Sequence, residues 1–310
     1  MNPAPLAQRL ASIHGITITP FSDSGSVDLG GVEANVGHLV DGGVDVLVAC
    51  GNTGEYSTLT PDERRQVVAR TGKLLADVDA IFVVGVGQDL GTAAADARHA
   101  AEHGAHAVMV HQPPTPFVSR EGFLTYHENI AAASPVPTIP YVSRPVLTPD
   151  DVPRLLDTAH PVAVKYAVND PPVLADCVAA DTGGDTVWIA GTAEGWAPFL
   201  WPAGAVGFTS GLVNVTTTLS RRLLAALQTG DAVEVRAIWQ RLQPFEQLRA
   251  ADDGAFNVAV VKEAMRQWGM PAGDVRPPAS PTSEVMRDRI ATILEDWSRT
   301  QRASDDGMET

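Results

Sequence analysis

Lysine is rare in this chain of 310 residues, occurring only as Lys73, Lys165 and Lys262. Lys73 and Lys262 fall in helical patterns, where an ammonium is expected to reach water. Lys165 instead ends the short apolar run 161–165, which reads as a buried strand of a parallel sheet. Strand alternation puts Val162 and Val164 on one face and Ala163 with Lys165 on the other. Burial lowers the pKa of an ammonium, and a lysine neutral near pH 7 is a nucleophile that forms imines with carbonyls. The plain alternative is a solvated lysine at a strand end. Because positive charge is otherwise carried mostly by arginine, the functional reading is preferred.

Other residues of the right chemical type lie at the ends of neighbouring apolar runs. Gly51-Asn52-Thr53-Gly54 reads as a tight turn whose backbone N–H groups can converge on a carboxylate. Tyr141 closes another run and offers a phenol for proton transfer, while Gly191 ends a third. His111 ends a run at a position from which it could hydrogen-bond substrate or merely line a wall, and Glu194 carries the same ambiguity. Thr209-Ser210 follow the last run. An amine, a phenol and an anion nest are what imine chemistry on a 2-oxo acid requires. Each signal alone is weak, since such turns and tyrosines more often serve packing.

Positioning these groups takes a repeated framework. Apolar runs at 15–19, 44–50, 81–85, 107–111, 136–141, 162–165, 187–191 and 205–208 alternate with amphipathic segments. Thr60-Pro61-Asp62-Glu63 and Thr148-Pro149-Asp150-Asp151 open helices with capping signals and proline at the first helical position. Eight strand–helix alternations predict a (β/α)₈ TIM barrel over residues 1–228, with a doubly wound open sheet as runner-up. Further helices over 229–300 form a C-terminal extension broken at Asp252-Asp253-Gly254 and Arg276-Pro277-Pro278. The polar segment 301–310 is expected to be disordered. In a barrel of this kind the reactive groups come from the C-terminal ends of the strands.

Composition narrows the class. The formal net charge is −15, which argues against nucleic acid and anionic membrane as partners. Two cysteines, Cys50 and Cys177, make no disulfide framework, and no export signal is apparent, so a cytoplasmic protein is expected. No stretch has the roughly twenty apolar residues of a membrane span.

Taken together, residues 15–21 (Gly15-Ile16-Thr17-Ile18-Thr19-Pro20-Phe21), residues 51–55, Tyr141 and Lys165 resemble the dihydrodipicolinate synthase / N-acetylneuraminate lyase superfamily, over nearly the whole chain. The resemblance implies a TIM barrel, commonly a homo-oligomer (tetramer or dimer), acting on a small-molecule 2-oxo acid without a cofactor. It also implies that Lys165 forms a Schiff base, Tyr141 shuttles protons, and Thr53 with its flanking backbone holds the substrate carboxylate. Thr19, within the first motif, joins the substrate-binding set.

Departures from the synthase pattern bear on substrate. Asn52 replaces a threonine, Pro114-Thr115 stand where a tyrosine pair is found, and Arg144 lies three rather than five residues after Tyr141. The segments Val260-Val261-Lys262-Glu263 and Val275-Arg276-Pro277-Pro278 are similar to the 5-dehydro-4-deoxyglucarate dehydratase branch. The expectation is therefore a dehydratase or aldolase of a 2-oxo-3-deoxy sugar acid such as 5-dehydro-4-deoxyglucarate. The alternatives are pyruvate condensation of the synthase type and a non-catalytic 2-oxo-acid-binding barrel.

Three competing motifs carry less. His99-Ala100-Ala101-Glu102-His103 matches a zinc signature by letter, but it falls on an outer helix with no clear further ligand, so no metal is expected. Gly85-Val86-Gly87 opens a loop like those of nucleotide sites, with its third glycine out of step. Cys50 has no evident activator and reads as a buried structural thiol.

Overall fold

The computed structural model describes residues 5–306, with side chains described as far as residue 299. Eight parallel strands close into one barrel in sequence order: β1 (Ile13–Ile16), β2 (Val46–Ala49), β3 (Ile81–Val86), β4 (Ala107–Val110), β5 (Thr138–Val142), β6 (Ala163–Tyr166), β7 (Val187–Ala190) and β8 (Gly207–Ser210). The helices are α1 (Leu6–Leu10), α2 (Leu29–Asp41), α3 (Pro61–Leu75), α4 (Leu90–Glu102), α5 (Arg120–Ala133), α6 (Val152–Ala159), α7 (Pro171–Ala180), α8 (Ala193–Leu200), α9 (Thr217–Thr229), α10 (Ala232–Gly254), α11 (Asn257–Gln267) and α12 (Glu284–Asp306). The expected TIM barrel with C-terminal helices is the fold observed.

Strand alternation divides the core in two. Val46, Val48, Ile81, Val83, Met109, Ile139 and Ile189 fill the barrel interior, beneath which Leu10 of α1 packs. Leu47, Phe82, Val108, Val164, Trp188 and Phe208 point outward and pack in the core shared with the helices. Lys165 follows Ala163 on the inner face, one pleat from Val164, so it faces the barrel interior.

Several boundaries differ from the sequence reading. β1 starts two residues earlier and stops at Ile16, leaving Thr17 to Thr19 beyond the strand. β8 starts two residues later and includes Thr209 and Ser210, whose polar character disguised a strand that pairs with both β7 and β1. Tyr141 and Lys165 are each one residue short of their strand ends. α12 runs to Asp306, past the point where order was expected to end; residues 307–310 lie outside the described residues.

Both capping boxes form, Thr60 with Glu63 and Thr148 with Asp151. In the second, a 3₁₀ turn over Pro149–Asp151 precedes α6. The break foreseen at Asp252-Asp253-Gly254 is real: Ala251 leaves helical geometry, and Asp252 and Asp253 adopt left-handed φ of 50° and 61°. Aspartate tolerates that region better than most residues. The kink turns the end of α10 over the C-terminal mouth of the barrel.

Lys262 corrects the expectation that it reaches water. It is 1% exposed and forms a buried ion pair with Glu55 Oε1, while its ammonium also donates to the Asp274 carbonyl at 3.1 Å. α11 is covered on most sides, with Val260, Val261, Ala264 and Met265 also buried. The partner lies on a loop far away in sequence. Arg276 adds a second tie, pairing with Glu63 and lying 4.0 Å from the Phe21 ring centroid. The extension is thereby fastened to the loops at the C-terminal end of the barrel.

Candidate active site

At the strand C-termini a cavity of about 680 Å³ opens, within the range of small-molecule sites. Lys165 projects into it and is 4% exposed. Among the described residues its ammonium has neither a carboxylate nor a hydrogen-bonding partner. Burial pushes its pKa down to about 7, so a substantial fraction is neutral amine at physiological pH.

The parallel register sets Tyr141 of β5 beside Lys165 of β6. The Lys165 Nζ lies 3.8 Å from the centroid of the Tyr141 ring. Burial pushes the Tyr141 phenol up to about 12, so it is protonated at neutral pH. The Asn52 amide donates to the Tyr141 oxygen at 3.1 Å, which leaves the phenolic hydrogen free to point elsewhere. Gly191 is needed for space: a Cβ there would stand 2.5 Å from Ala167 Cβ and 3.0 Å from Lys165 Cγ.

Of the residues singled out in the sequence, Asn52, Thr53, Tyr141, Lys165, Gly191 and Thr209 line the cavity. Five others stand behind the wall. Ser210 faces outward by strand alternation from Thr209, and its hydroxyl donates to Glu194 while accepting from the Val213 amide. The Thr19 hydroxyl donates to the Gly54 carbonyl at 2.7 Å and braces the glycine turn. Gly51 and Gly54 serve close packing, since a Cβ would approach Ile16 Cγ2 to 2.5 Å or the Thr17 carbonyl to 2.8 Å. His111 is buried, bonded through Nε2 to the Cys50 carbonyl at 2.9 Å and stacked on Tyr56. Burial drives its pKa down to about 4, leaving a neutral ring.

Glu194 on α8 is fully buried, and its Oε1 accepts from Ser210 and Ser220. Burial raises its pKa, and neighbouring Glu246 adds to the effect. Arg144 is exposed, with its guanidinium on the Thr115 carbonyl. Pro114 and Thr115 line a separate surface hollow with Phe117 and Tyr126.

His99, Glu102 and His103 do come together on α4, with potential ligand atoms within 4.8 Å of one another. They sit on the outer helical layer, and His99 Nε2 and His103 Nδ1 are engaged by the Arg65 and His99 carbonyls. Cys50 is buried, and desolvation pushes its thiol up to about 12, an inert state.

Residues missed in the sequence come chiefly from α10 and the start of α11, with Ser143, Asn169 and Thr192 following β5, β6 and β7. Gln243, Glu246, Gln247, Arg249, Asp253 and Asn257 form one side of the cavity. A signal was present: Ile238, Leu242 and Phe245 make a buried helical stripe that Arg249 continues at the next i+4 position. A charged residue on an apolar stripe marks a partner or a site.

The Dihydrodipicolinate synthetase family pattern matches residues 9–297. The chain belongs to this family. Family members are class I lyases, so this protein is an enzyme of that kind. A probable 5-dehydro-4-deoxyglucarate dehydratase of Streptomyces griseus is 30% identical, over 94% of this chain and 95% of its own length. A 4-hydroxy-tetrahydrodipicolinate synthase of Corynebacterium jeikeium is also 30% identical, over 90% of this chain and 92% of its own. Among solved structures, dihydrodipicolinate synthase from Oceanobacillus iheyensis is 38% identical with a TM-score of 0.91, covering 94% of this chain and 98% of that one. Both kinds of activity are thus named among its relatives at similar identity. Members of the family act on small molecules and are usually oligomeric.

Proposed function

We propose that this protein is an imine-forming lyase of 2-oxo-3-deoxy sugar acids, a dehydratase or aldolase with Lys165 as nucleophile and Tyr141 as proton carrier. One observation carries the reading: a buried, unpaired lysine amine stands against the Tyr141 ring inside a cavity.

The neutral Lys165 amine adds to the 2-oxo carbon, water leaves, and an imine forms. Protonated imine nitrogen then accepts electron density from C3, so a C3 proton or the C3–C4 bond can be released. In dehydration Tyr141 gives its proton, left free by the Asn52 bond, to the C4 hydroxyl, which departs as water, and is reprotonated by the proton released from C3. In C3–C4 cleavage its oxygen takes the C4 hydroxyl proton as the aldehyde forms, and its own proton passes to C3 of the enamine. Thr53 and the adjacent backbone hold the substrate carboxylate. Thr209 and Gly191 also line the cavity.

Condensation of the synthase type is the weaker reading. Among the described residues the Tyr141 hydroxyl has one side-chain partner, the amide of Asn52, which cannot relay a proton as a hydroxyl does. Pro114 and Thr115 lie at another hollow. A homo-oligomer, dimer or tetramer, working in the cytoplasm belongs to the same reading. Its support is the habit of the family, and among the described residues no helix is long and apolar enough to cross a bilayer.

The test is borohydride reduction in the presence of pyruvate or a longer 2-oxo acid, followed by peptide mapping. One adduct per chain at Lys165 is expected, together with turnover of 2-oxo-3-deoxy sugar acids. An adduct at Lys73 or Lys262, or turnover undiminished by Lys165→Ala, would overturn the mechanism.

A further inference from the structure

We propose that the cavity takes a 2-oxo acid bearing one carboxylate and an uncharged, hydroxylated chain, and that Glu246 excludes a second carboxylate. The inference rests on the imine reading above and narrows its substrate.

The charges around the cavity are few. Its cationic side chains are Lys165 and Arg249, and its anionic ones are Glu246 and Asp253. Arg249 is 4% exposed and held by two neighbours: Nη1 donates to Glu246 Oε1 at 2.7 Å and Nη2 to Asn257 Oδ1 at 3.1 Å, which leaves Nε as its one donor without a partner among the described residues. A substrate carboxylate at Thr53 has the glycine turn to receive it. A second carboxylate would find the one guanidinium already paired with Glu246 and would face that partly desolvated carboxylate, where like charges repel, with the exposed Asp253 adding the same sign at the rim.

Neutral hydrogen-bonding capacity is, by contrast, plentiful. The Thr192 hydroxyl and the Gln243 amide nitrogen line the cavity, are shielded from solvent and have no partner among the described residues. Gln247 and Asn169 add two more carboxamides to the wall. Buried polar atoms without partners are costly, and hydroxyl groups of a bound chain would satisfy them. Glu246 also approaches the backbone after β7, its Oε2 lying 3.7 Å from where a Cβ on Gly195 would stand. It is placed to accept from a substrate hydroxyl there.

Two six-carbon acids isolate the question: 2-dehydro-3-deoxygluconate ends in a hydroxymethyl group, and 5-dehydro-4-deoxyglucarate carries a carboxylate at that end. Calorimetric titration of the whole protein should show the first binding at least tenfold more tightly. Glu246→Gln, which frees Arg249, should shrink that preference or reverse it. Gln243→Leu, less disturbing to the charge network, should weaken the aldonic acid at least tenfold. Equal affinity, preference for the dicarboxylate, binding of neither acid, or a preference unmoved by both variants would overturn the inference. Borohydride trapping with pyruvate, run in parallel, reports the imine reading separately. An adduct at Lys165 alongside any of those failures would leave the mechanism standing and remove only the substrate assignment.

Discussion

Lys165 and Tyr141 stand opposite each other in the β5–β6 register, with the lysine nitrogen 3.8 Å from the centre of the phenol ring. Two consequences of one burial follow. Desolvation lowers the amine to about 7 and raises the phenol to about 12, so at neutral pH one can attack while the other still holds its proton. The rate of imine trapping should therefore rise with pH through about 7 and level off above it, because the neutral amine is the reactive form. A trapping rate still climbing toward pH 10 would place the lysine near its unperturbed value and refute the desolvated site. Lys165→Arg should abolish trapping, since a guanidinium does not deprotonate.

Tyr141→Phe keeps the ring against the lysine but removes the proton carrier. Trapping with pyruvate should persist, whereas turnover of the full substrate should fall on the order of 10²–10⁴-fold. Comparison of single-turnover trapping with steady-state kcat distinguishes the two effects. Equal losses in both would mean that the phenol acts in bond formation itself.

The Glu55–Lys262 pair is the buried electrostatic joint between the site loop and the extension. Lys262→Met strands a carboxylate beneath the glycine turn and should cost about 3–5 kcal/mol, measured by urea unfolding. The double variant Glu55→Gln with Lys262→Met should recover most of that loss. A double variant as unstable as the single would show that the lysine stem, rather than the charge, is what matters.

Mild acid should weaken the fold. His14, His111 and His127 are buried neutral, with values depressed to about 4, 4 and 3 by desolvation. In the unfolded chain they take protons near 6.5. Their share of stability is thus complete above pH 6.5 and is lost as pH falls toward 4, at up to about 1.4 kcal/mol per pH unit for each. Glu194, raised by burial, acts in the opposite sense as pH drops from about 7 to its unfolded value. Three histidines outweigh one carboxyl, so the urea midpoint should decline from pH 7 to pH 5. His127, whose ring nitrogens have no hydrogen-bond partner among the described residues, offers a check: His127→Phe should make that decline shallower.

Much of this could be read from the chain because it is local. Eight apolar runs separated by capped helices specify the barrel through periodicity, and Lys165 stands out because a strand interior is an unusual place for an ammonium. What stayed hidden depends on facing and on distance. Ser210 and Thr209 are chemically alike, and only the pleat decides that one lines the cavity while the other bonds Glu194. Lys262 looked solvent-bound because helical spacing says nothing about what covers the helix. Glu246 and Arg249 were overlooked because helical spacing does not say that α10 packs along the cavity, whereas Asp253 and Asn257 arrive only past the kink at Ala251 to Asp253.

The tie between Glu55 and Lys262 also limits how such a protein can be recombined. The glycine turn and the last third of the chain share a single buried charge balance, so a crossover between them separates a carboxylate from its counterion. Chimeras that graft another member's C-terminal helices onto this barrel would be viable only where the donor brings a lysine to that position, or where Glu55 is replaced in the same step. These two residues should accordingly be inherited as a unit, whatever substrate the surrounding pocket has come to prefer.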